Sequence, residues 1–406
     1  MSIEPILRPS SVPRPTADFL AAKVRDMAPS GIRRFFDMLA EMTDVISLTI
    51  GEPDFTTPEP ITRAAIDSLE AGETHYTANG GMIELRELIA ANLAHRYGVS
   101  YDPRAELVIT VGASEGVDAS LRALLDPGDE VIYHEPCFVS YAPCIELAGG
   151  TPVAVSTTDA TDFRVTADAI EAAITPRSKA IFLGYPNNPT GAVLSRDELE
   201  AIAEVARRHD LLVISDEIYD RLVYGDHRHV AVSSLSGMRE RTVLIGGFSK
   251  AYAMTGWRIG FVAAPAELMT GIAKVHQYGI MCAPTSAQFA AIEALQHGEP
   301  FVVEMLAEYD RRRVLMTRRF NEMGLACFEP QGAFYCFPKI TSSGLDDEQF
   351  AEELLREEKV GVVPGRAFGP SGIGHVRVCY ATAYEQIVEA MDRIERFVER
   401  RRGAAA

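Results

Sequence analysis

The chain alternates short hydrophobic runs with amphipathic stretches through most of its first 290 residues. The runs have the length of buried strands, and the stretches between them carry apolar residues at helical spacing. We predict strands at 107–111, 130–133, 152–155, 180–183, 211–215, 243–246 and 257–263, and helices at 114–125, 138–147 and 196–209. This alternation predicts an α/β fold with a mainly parallel central sheet and helices on both faces.

The pattern changes at both ends of this region. Residues 1 to about 30 are rich in Pro and Ser and predict an irregular arm, which an amphipathic stretch at 32–42 follows. After about residue 285 we predict a long helical region at 287–323, strands at 326–328, 333–338, 360–363 and 374–380, and helices at 347–358 and 384–401. We therefore divide the chain into an arm with part of a small domain (1–46), a large domain (47–290) and a smaller α+β domain (291–406).

Chemically useful residues follow the predicted strands. Ligands of open parallel sheets bind at the carboxyl ends of the strands. These ends should present a glycine-led turn at 112–114, an aromatic ring at Phe138, an amide at Asn188, a carboxylate at Asp216 and a lysine at Lys250. Of the six lysines only Lys250 follows a core strand in this way, and a lysine there can form a Schiff base with an aldehyde cofactor.

Each of these features also has an ordinary explanation when it is taken alone. Lys250 could be a surface lysine, and Ser114 and Asp216 could each cap a helix. The turn at 112–114 leads into a helix, whose first N–H groups form a cradle for an anion. Neither GxGxxG nor GxxxxGK[ST] occurs in the chain, so the sequence gives no support to a dinucleotide or P-loop site.

Composition excludes several classes of function. The chain has 57 acidic and 39 basic residues, a net charge of −18, which argues against nucleic acid or an anionic membrane surface as a partner. Its six cysteines form no CxxC pair, and its nine histidines form no HExxH pattern, so we predict no metal site. Without a signal peptide or a membrane-spanning run, we expect a cytoplasmic protein with reduced thiols.

The segment 247–260, GFSKAYAMTGWRIG, closely resembles the lysine signature of the class I/II aminotransferases, which are pyridoxal-phosphate enzymes of fold type I. Further segments that resemble the family occur in its order along the chain. They are SLTIGEPDF at 47–55, Tyr76, NPTG at 188–191, Asp216 with Tyr219, GAFY at 332–335, and Arg377. The resemblance covers about residues 30 to 395.

This resemblance implies the main catalytic roles. Lys250 would form the Schiff base with pyridoxal 5′-phosphate and move a proton between substrate and cofactor. Asp216 would pair with the protonated ring nitrogen, while Tyr219 and Asn188 would hydrogen-bond the phenolic oxygen. Arg377 would hold the α-carboxylate of the substrate through its bidentate fork.

Further contacts with cofactor and substrate are implied in the same way. Phe138 would stack on the cofactor ring, and Gly51 would line the substrate pocket. Tyr76 would reach the phosphate in the neighbouring subunit, which implies a symmetric homodimer with shared active sites. The phosphate itself would be held by Ala113, Ser114, Ser249 and Arg258.

The implied activity is transfer of an α-amino group from an L-amino acid (aspartate, aromatic or related) to a 2-oxo acid such as 2-oxoglutarate. The reaction would be ping-pong through pyridoxamine phosphate. A fold-type-I lyase that eliminates or decarboxylates is the alternative, because the lysine motif is shared. A regulator with an aminotransferase-like domain is disfavoured, since the arm of roughly thirty residues is too short for an added DNA-binding domain.

Two positions depart from the pattern of many relatives. Gly247 stands where they often have Ser, and Ser114 stands where some acid-specific relatives have a lysine for a distal carboxylate. We therefore expect a pocket that accepts more than one side chain. Ile32 and Arg33, on the segment expected to close over the substrate, are the candidates for tuning its specificity.

Overall fold

A computed structural model describes residues 19–27 and 42–405. Most of the predicted arm and the amphipathic stretch, including Ile32 and Arg33, lie outside the described residues. The strands are β1 (Ile46–Ser47), β2 (Leu107–Thr110), β3 (Glu130–Glu135), β4 (Thr151–Ser156), β5 (Ser178–Leu183), β6 (Leu212–Asp216), β7 (Thr242–Gly247), β8 (Gly260–Ala263), β9 (Tyr335–Cys336), β10 (Val360–Gly361), β11 (Val363–Pro364) and β12 (Val376–Cys379). The helices are α1 (Ala22–Arg25), α2 (Glu59–Glu70), α3 (Ile83–Tyr97), α4 (Gly112–Leu124), α5 (Tyr141–Ala148), α6 (Ala167–Ala172), α7 (Arg196–Arg208), α8 (Ala266–Gly279), α9 (Thr285–His297), α10 (Glu299–Glu322), α11 (Asp347–Glu358) and α12 (Tyr384–Ala405).

The central sheet has seven strands in the order β2–β8–β7–β6–β5–β3–β4. Only β8 runs antiparallel to its neighbours, whereas the pairs among β3 to β7 are all parallel. The carboxyl ends of the six codirectional strands therefore meet at one edge of the sheet, and the start of β8 joins them there. This confirms the predicted α/β class with a mainly parallel sheet.

Helices cover both faces of this sheet, because its inner strands carry apolar residues on both sides. Alternate residues of each strand point to opposite faces. One face, which includes Phe182 and Ile214, packs against α4, α5 and α8. The other face packs against α7 on one side, through Ile181 and Val213, and against α2, α3 and α9 on the other, through Leu244.

The C-terminal elements form two small sheets beside the central one. β9, β12 and β11 make an antiparallel three-stranded sheet with β12 in the middle, and β1 pairs in parallel with β10. Helices α10, α11 and α12 pack on these strands around a separate hydrophobic core. The predicted domain limits at residues 46 and 290 stay predictions.

Two predicted elements differ from the structure. The helical region at 287–323 is two helices that meet at Gly298. Pro300 lies in the first turn of the second helix, where its missing N–H costs no helical hydrogen bond. No strand forms at 326–328. The side chain of Asn321 hydrogen-bonds both the N–H and the carbonyl of Cys327, at 3.0 and 2.9 Å, and so replaces the partners that a neighbouring strand would supply.

Several predicted strands are shorter than expected. The strand predicted at 257–263 begins only at Gly260, because Arg258 has a left-handed backbone with φ of 51°. The run at 360–363 is divided between β10 and β11, which belong to different sheets. Within the described residues, no helix has the length and hydrophobicity needed to cross a bilayer.

Candidate active site

A cavity of about 370 Å³ opens at the carboxyl edge of the central sheet. It lies between that edge and the small antiparallel sheet, since Tyr335 of β9 and Arg377 of β12 form one of its walls. Eleven of the twelve residues implied by the family resemblance line it: Gly51, Ala113, Ser114, Phe138, Asn188, Asp216, Tyr219, Ser249, Lys250, Arg258 and Arg377. The structure therefore brings these eleven residues together in one cavity.

Lys250 lies on the loop that follows β7. The buried ring of Phe248 and the hydrogen bond from its N–H to the carbonyl of Ile259, at 3.3 Å, fix this loop on β8. The Lys250 amine donates to the carbonyl of Gly51 at 2.6 Å. Burial among protein atoms disfavours the charged amine and lowers the Lys250 pKa to about 8. Near neutral pH a larger fraction of this amine than of an ordinary lysine is therefore neutral and nucleophilic.

Asp216 ends strand β6 and is buried at the floor of the cavity. Its carboxylate accepts hydrogen bonds from the Tyr141 hydroxyl at 2.9 Å and from the Ile218 N–H at 3.2 Å. Burial raises the Asp216 pKa to about 6, although both hydrogen bonds oppose that shift. The next residue, Glu217, points to the other face of the sheet, where it bonds His229 at 2.7 Å. Asp216 is thus the acidic group that this strand presents to the cavity.

The start of helix α4 lines the cavity through Ala113 and Ser114. Val111, at the N-cap, makes no side-chain hydrogen bond to the first turn. The guanidinium of Arg258 lies beside this turn, where its Nη1 donates to the carbonyl of Thr255 at 3.0 Å. A Cβ at Gly112 would lie 2.7 Å from Arg258 Nη2, and the φ of 72° also requires glycine there. Helix N–H groups and an arginine together suit a phosphate.

Asn188 and Arg377 hold each other at the substrate side of the cavity. Arg377 Nη1 donates to Asn188 Oδ1 at 3.0 Å, and Nη2 donates to the carbonyl of Thr49. Its guanidinium lies between the rings of Tyr335 and Phe368, with the central carbon 4.7 and 4.8 Å from the two ring centres. The buried Nε has no hydrogen-bond partner among the described residues. A fixed guanidinium with an unpaired N–H is suited to a carboxylate.

Tyr219 and Gly51 both contact the hydroxyl of Tyr335. The Tyr219 hydroxyl lies 2.8 Å from the hydroxyl of Tyr335. A Cβ at Gly51 would lie 2.4 Å from that same Tyr335 oxygen, so any larger residue would displace the tyrosine. Gly247, one of the two departures from the family pattern, is also crowded, because a Cβ there would lie 2.9 Å from Ile218.

Tyr76 is the one implied residue that does not line the cavity. Its side chain is 81% exposed and extends from the loop between α2 and α3. Helix α9 holds that loop, because Thr285 donates to the carbonyl of His75 at 2.8 Å and Gln288 donates to the Thr77 hydroxyl at 3.0 Å. The chain therefore presents Tyr76 outward, away from its own cavity.

Comparisons with known proteins decide the family. The model of aminotransferase class I and II matches residues 43–394. An aspartate aminotransferase of Pyrococcus abyssi is 48% identical over 92% of this chain and 97% of its own length. Aromatic-amino-acid aminotransferase 2 of Thermococcus litoralis is 45% identical over 94% and 99%.

The chain belongs to the class I and II aminotransferases. Its fold agrees, since the structure of an aspartate aminotransferase from Thermus thermophilus with maleate superposes with a TM-score of 0.89 at 38% identity, over 93% of this chain and 99% of that one. The protein is accordingly a transaminase that depends on pyridoxal phosphate, and the comparisons give no support to the lyase alternative.

The residues of this aminotransferase fit its cofactor. The cavity combines a lysine amine of lowered pKa, a buried carboxylate and an anion-binding helix start, which match the aldehyde, the ring nitrogen and the phosphate of pyridoxal phosphate. Arg377 uses one N–H of each terminal nitrogen within the protein, so the second N–H of each can donate to a substrate carboxylate. In the described residues no group of three His, Cys, Asp or Glu side chains is placed to hold a metal ion.

Sequence reasoning missed three residues that shape the aminotransferase site: Tyr141, Tyr335 and Phe368. Tyr141 is the first residue of α5, and its place beside Asp216 depends on a contact between distant segments that sequence spacing does not indicate. Tyr335 is the last residue of the GAFY segment, which resembles the family but by itself indicates no role for this tyrosine. Phe368 lies in a short 3₁₀ turn, and its sequence context carries no such signal.

Proposed function

We propose that this aminotransferase moves the α-amino group of an L-amino acid (aspartate, aromatic or related) to a 2-oxo acid such as 2-oxoglutarate. Lys250, Asp216 and Tyr219 are its catalytic residues. The observation that carries this proposal is that Lys250, Asp216 and Arg377 line the same cavity. Hydrogen bonds within the protein orient each of the three side chains. The cofactor, when bound, supplies the electron sink that stabilises negative charge at the substrate α-carbon.

The proposed contacts divide the cavity into a ring region and a phosphate region. Asp216 holds the proton on the ring nitrogen through its buried carboxylate, and Phe138 covers one face of the ring. Asn188 donates its amide N–H₂ to the phenolic oxygen, because its Oδ1 already accepts from Arg377. Ser249 and Arg258, together with the first turn of α4 at Ala113 and Ser114, hold the phosphate.

Lys250 is the proposed base. A lysine released from the cofactor stays within the cavity and needs to be neutral to remove the α-proton, and burial favours that neutral form. The Lys250 amine is 5.8 Å from the ring centre of Tyr219 and 5.6 Å from that of Phe334. These aromatic rings limit the access of water to the amine.

Substrates share the proposed anchor at Arg377, whereas the side-chain site is less defined. Gly51 lines the cavity with Arg377, and a side chain at this position would displace Tyr335. Relatives of this chain are named as aspartate and as aromatic-amino-acid aminotransferases, which supports a donor of either kind. Ser114 cannot bind a distal carboxylate as a lysine would. Arg33 is the proposed alternative partner, and it lies outside the described residues.

We propose further that the enzyme is a homodimer with shared active sites. The Tyr76 loop contacts the segment 276–281, because Asn79 donates to the carbonyl of Met281 and its own carbonyl lies 2.9 Å from His276 Nε2. This segment carries exposed apolar side chains. Tyr278 is 87% exposed and Met281 is 51% exposed. Burying such a surface against a second copy would stabilise a dimer and would bring Tyr76 towards the partner's phosphate.

A cytoplasmic location is part of the same proposal. All six cysteines are free thiols in the structure, and most of them are buried. Reduced thiols of this kind are usual in the cytoplasm, where disulfides rarely persist.

The test is a panel of amino donors mixed with the pyridoxal-phosphate enzyme in single turnover. Transamination leaves pyridoxamine phosphate and a keto acid, both measurable by absorbance and chromatography, without release of ammonia. The Lys250→Ala variant should retain bound cofactor through its ring and phosphate contacts but lose turnover, while Lys274→Ala, on a helix surface, serves as the matched control. Ammonia formed in proportion to keto acid, or full activity of the Lys250 variant, would refute the proposal.

A further inference from the structure

Tyr335 occupies a central position among groups that act on opposite ends of the reacting molecule. Its hydroxyl lies 2.8 Å from that of Tyr219, and its ring lies 4.7 Å from the guanidinium carbon of Arg377. The side chain is fully buried. Its backbone pairs with that of Cys379, which follows Arg377 by two residues on the neighbouring strand β12. It therefore contacts both the proposed donor to the cofactor and the proposed carboxylate anchor.

The direction of the hydrogen bond between the two tyrosines follows from proton counting. A phenol has one proton to donate. If Tyr219 donates that proton to the phenolic oxygen of the cofactor, it can only accept from Tyr335. The Tyr335 proton then points at the Tyr219 oxygen, and such a chain of donors strengthens the terminal hydrogen bond.

The environment leaves the Tyr335 hydroxyl little freedom to act otherwise. Tyr219 is its hydrogen-bond partner among the described residues, and Gly51 approaches so closely that a Cβ there would lie 2.4 Å from the hydroxyl oxygen. Phe368 covers the guanidinium of Arg377 from the other side, at 4.8 Å. The ring of Tyr335 thus completes a clamp that holds the guanidinium of Arg377 in one orientation.

We propose that Tyr335 is a positioning residue with two functions: its hydroxyl orients the Tyr219 proton into the cavity, and its ring braces Arg377. The inference rests on the proposed roles of Tyr219 and Arg377. Tyr219 stabilises negative charge on the phenolic oxygen, and this lets the Lys250 nitrogen lose its proton at lower pH. Tyr335 increases that effect without touching the cofactor through its hydroxyl.

The first experiment titrates the absorbance of the resting enzyme with bound pyridoxal phosphate. Tyr335→Phe keeps the ring and removes the hydroxyl, so the pH midpoint of the absorbance change should move up by about half a unit. Tyr219→Phe should move it further in the same direction. Tyr224→Phe is the matched control, because that buried tyrosine donates to the carbonyl of Ala333 within the same hydrophobic core, away from the cavity lining, and should leave the midpoint unchanged.

The double variant gives the decisive comparison. If Tyr335 acts through Tyr219, Tyr335→Phe should add no shift to that of Tyr219→Phe, since the hydrogen bond it supports is already lost. Additive shifts, or a normal midpoint in Tyr335→Phe while Tyr219→Phe shifts, would overturn the inference and leave the proposed function intact. A normal midpoint in Tyr219→Phe would instead contradict the proposed role of Tyr219 and the inference with it.

The second experiment tests the clamp on Arg377. Tyr335→Phe should leave KM for amino donors within about twofold, because the ring that stacks on the guanidinium remains. Tyr335→Leu removes the ring and should raise KM about three- to tenfold for every donor with an α-carboxylate. Equal KM values for the Leu and Phe variants, with both proteins folded by circular dichroism, would contradict the bracing function.

Discussion

The hydroxyl of Tyr141 donates a hydrogen bond to the carboxylate of Asp216 across 2.9 Å. Its ring is stacked on Phe182 at 4.2 Å between centres, and Gly184 makes room for it, since a Cβ there would lie 2.4 Å from the Tyr141 oxygen. This rigid donor favours the ionised form of Asp216, which burial opposes. The balance of the two effects sets the charge of the residue that faces the cofactor ring.

Removing the donor should therefore raise the Asp216 pKa above its value of about 6. In Tyr141→Phe we expect the pH dependence of cofactor association to shift up by about half to one unit, because a neutral carboxyl binds the ring nitrogen less well. Rapid-mixing absorbance between pH 5 and 8 measures this. Tyr185→Phe is the control, because the Tyr185 hydroxyl donates to the carbonyl of Phe163 instead. An unshifted profile in Tyr141→Phe would contradict the role of this hydrogen bond.

Asp216 should also make the cofactor-free protein less stable as pH rises. Its folded pKa of about 6 exceeds the ordinary value of 3.8. Stability from this group is fully present below about pH 4 and is lost as pH rises towards 6. Asp216→Asn should therefore gain up to about 3 kcal/mol relative to wild type between pH 4 and pH 7.

Urea denaturation of both cofactor-free proteins at the two pH values tests this expectation. The difference between the proteins, rather than either curve alone, isolates Asp216 from the other titrating groups. A constant difference across this range would show that Asp216 is not destabilised by burial. A stability difference that changes in favour of the wild type between pH 4 and pH 7 would contradict the expected sign.

The sequence predicted those parts of the site that follow from strand order. Asp216 ends β6 and Lys250 lies on the loop after β7, and the parallel pairing of these strands places both residues at one edge of the sheet. Arg258 could not be placed by this rule, because it precedes a strand that runs antiparallel to the rest. Its position at the cavity depends on that reversed strand and on a left-handed backbone.

Contacts made by distant segments could not be predicted in the same way. Tyr335 and Arg377 reach the cavity because two short strands of the second sheet pair beside it, and the sequence indicated these strands only approximately. The strand predicted at 326–328 is lost for a different, local reason, since the side chain of Asn321 takes the place of the expected strand partner. Such local competition leaves the hydrophobic pattern unchanged.

A shared active site predicts complementation between inactive variants. Tyr76→Ala should weaken the partner's phosphate site, and Lys250→Ala inactivates its own site. Refolding an equal mixture should produce hybrid dimers in half of the population, each with one site that has both residues, and so about a quarter of wild-type activity. The unmixed variants and a mixture of Lys250→Ala with wild type are the controls. Activity no higher than the average of the separate variants would contradict the shared site.

Arg377 should contribute equally to the binding of all amino donors, because every donor has the same α-carboxylate. Arg377→Leu removes the guanidinium that Asn188 and two aromatic rings hold in place, and we expect kcat/KM to fall about a hundredfold or more for acidic and aromatic donors alike. Arg33→Leu should reduce only acidic donors, if Arg33 binds a distal carboxylate. Steady-state kinetics with aspartate and phenylalanine compares the two variants. If Arg377→Leu spares phenylalanine while it impairs aspartate, Arg377 recognises the side chain and the assignment of the α-carboxylate anchor is wrong.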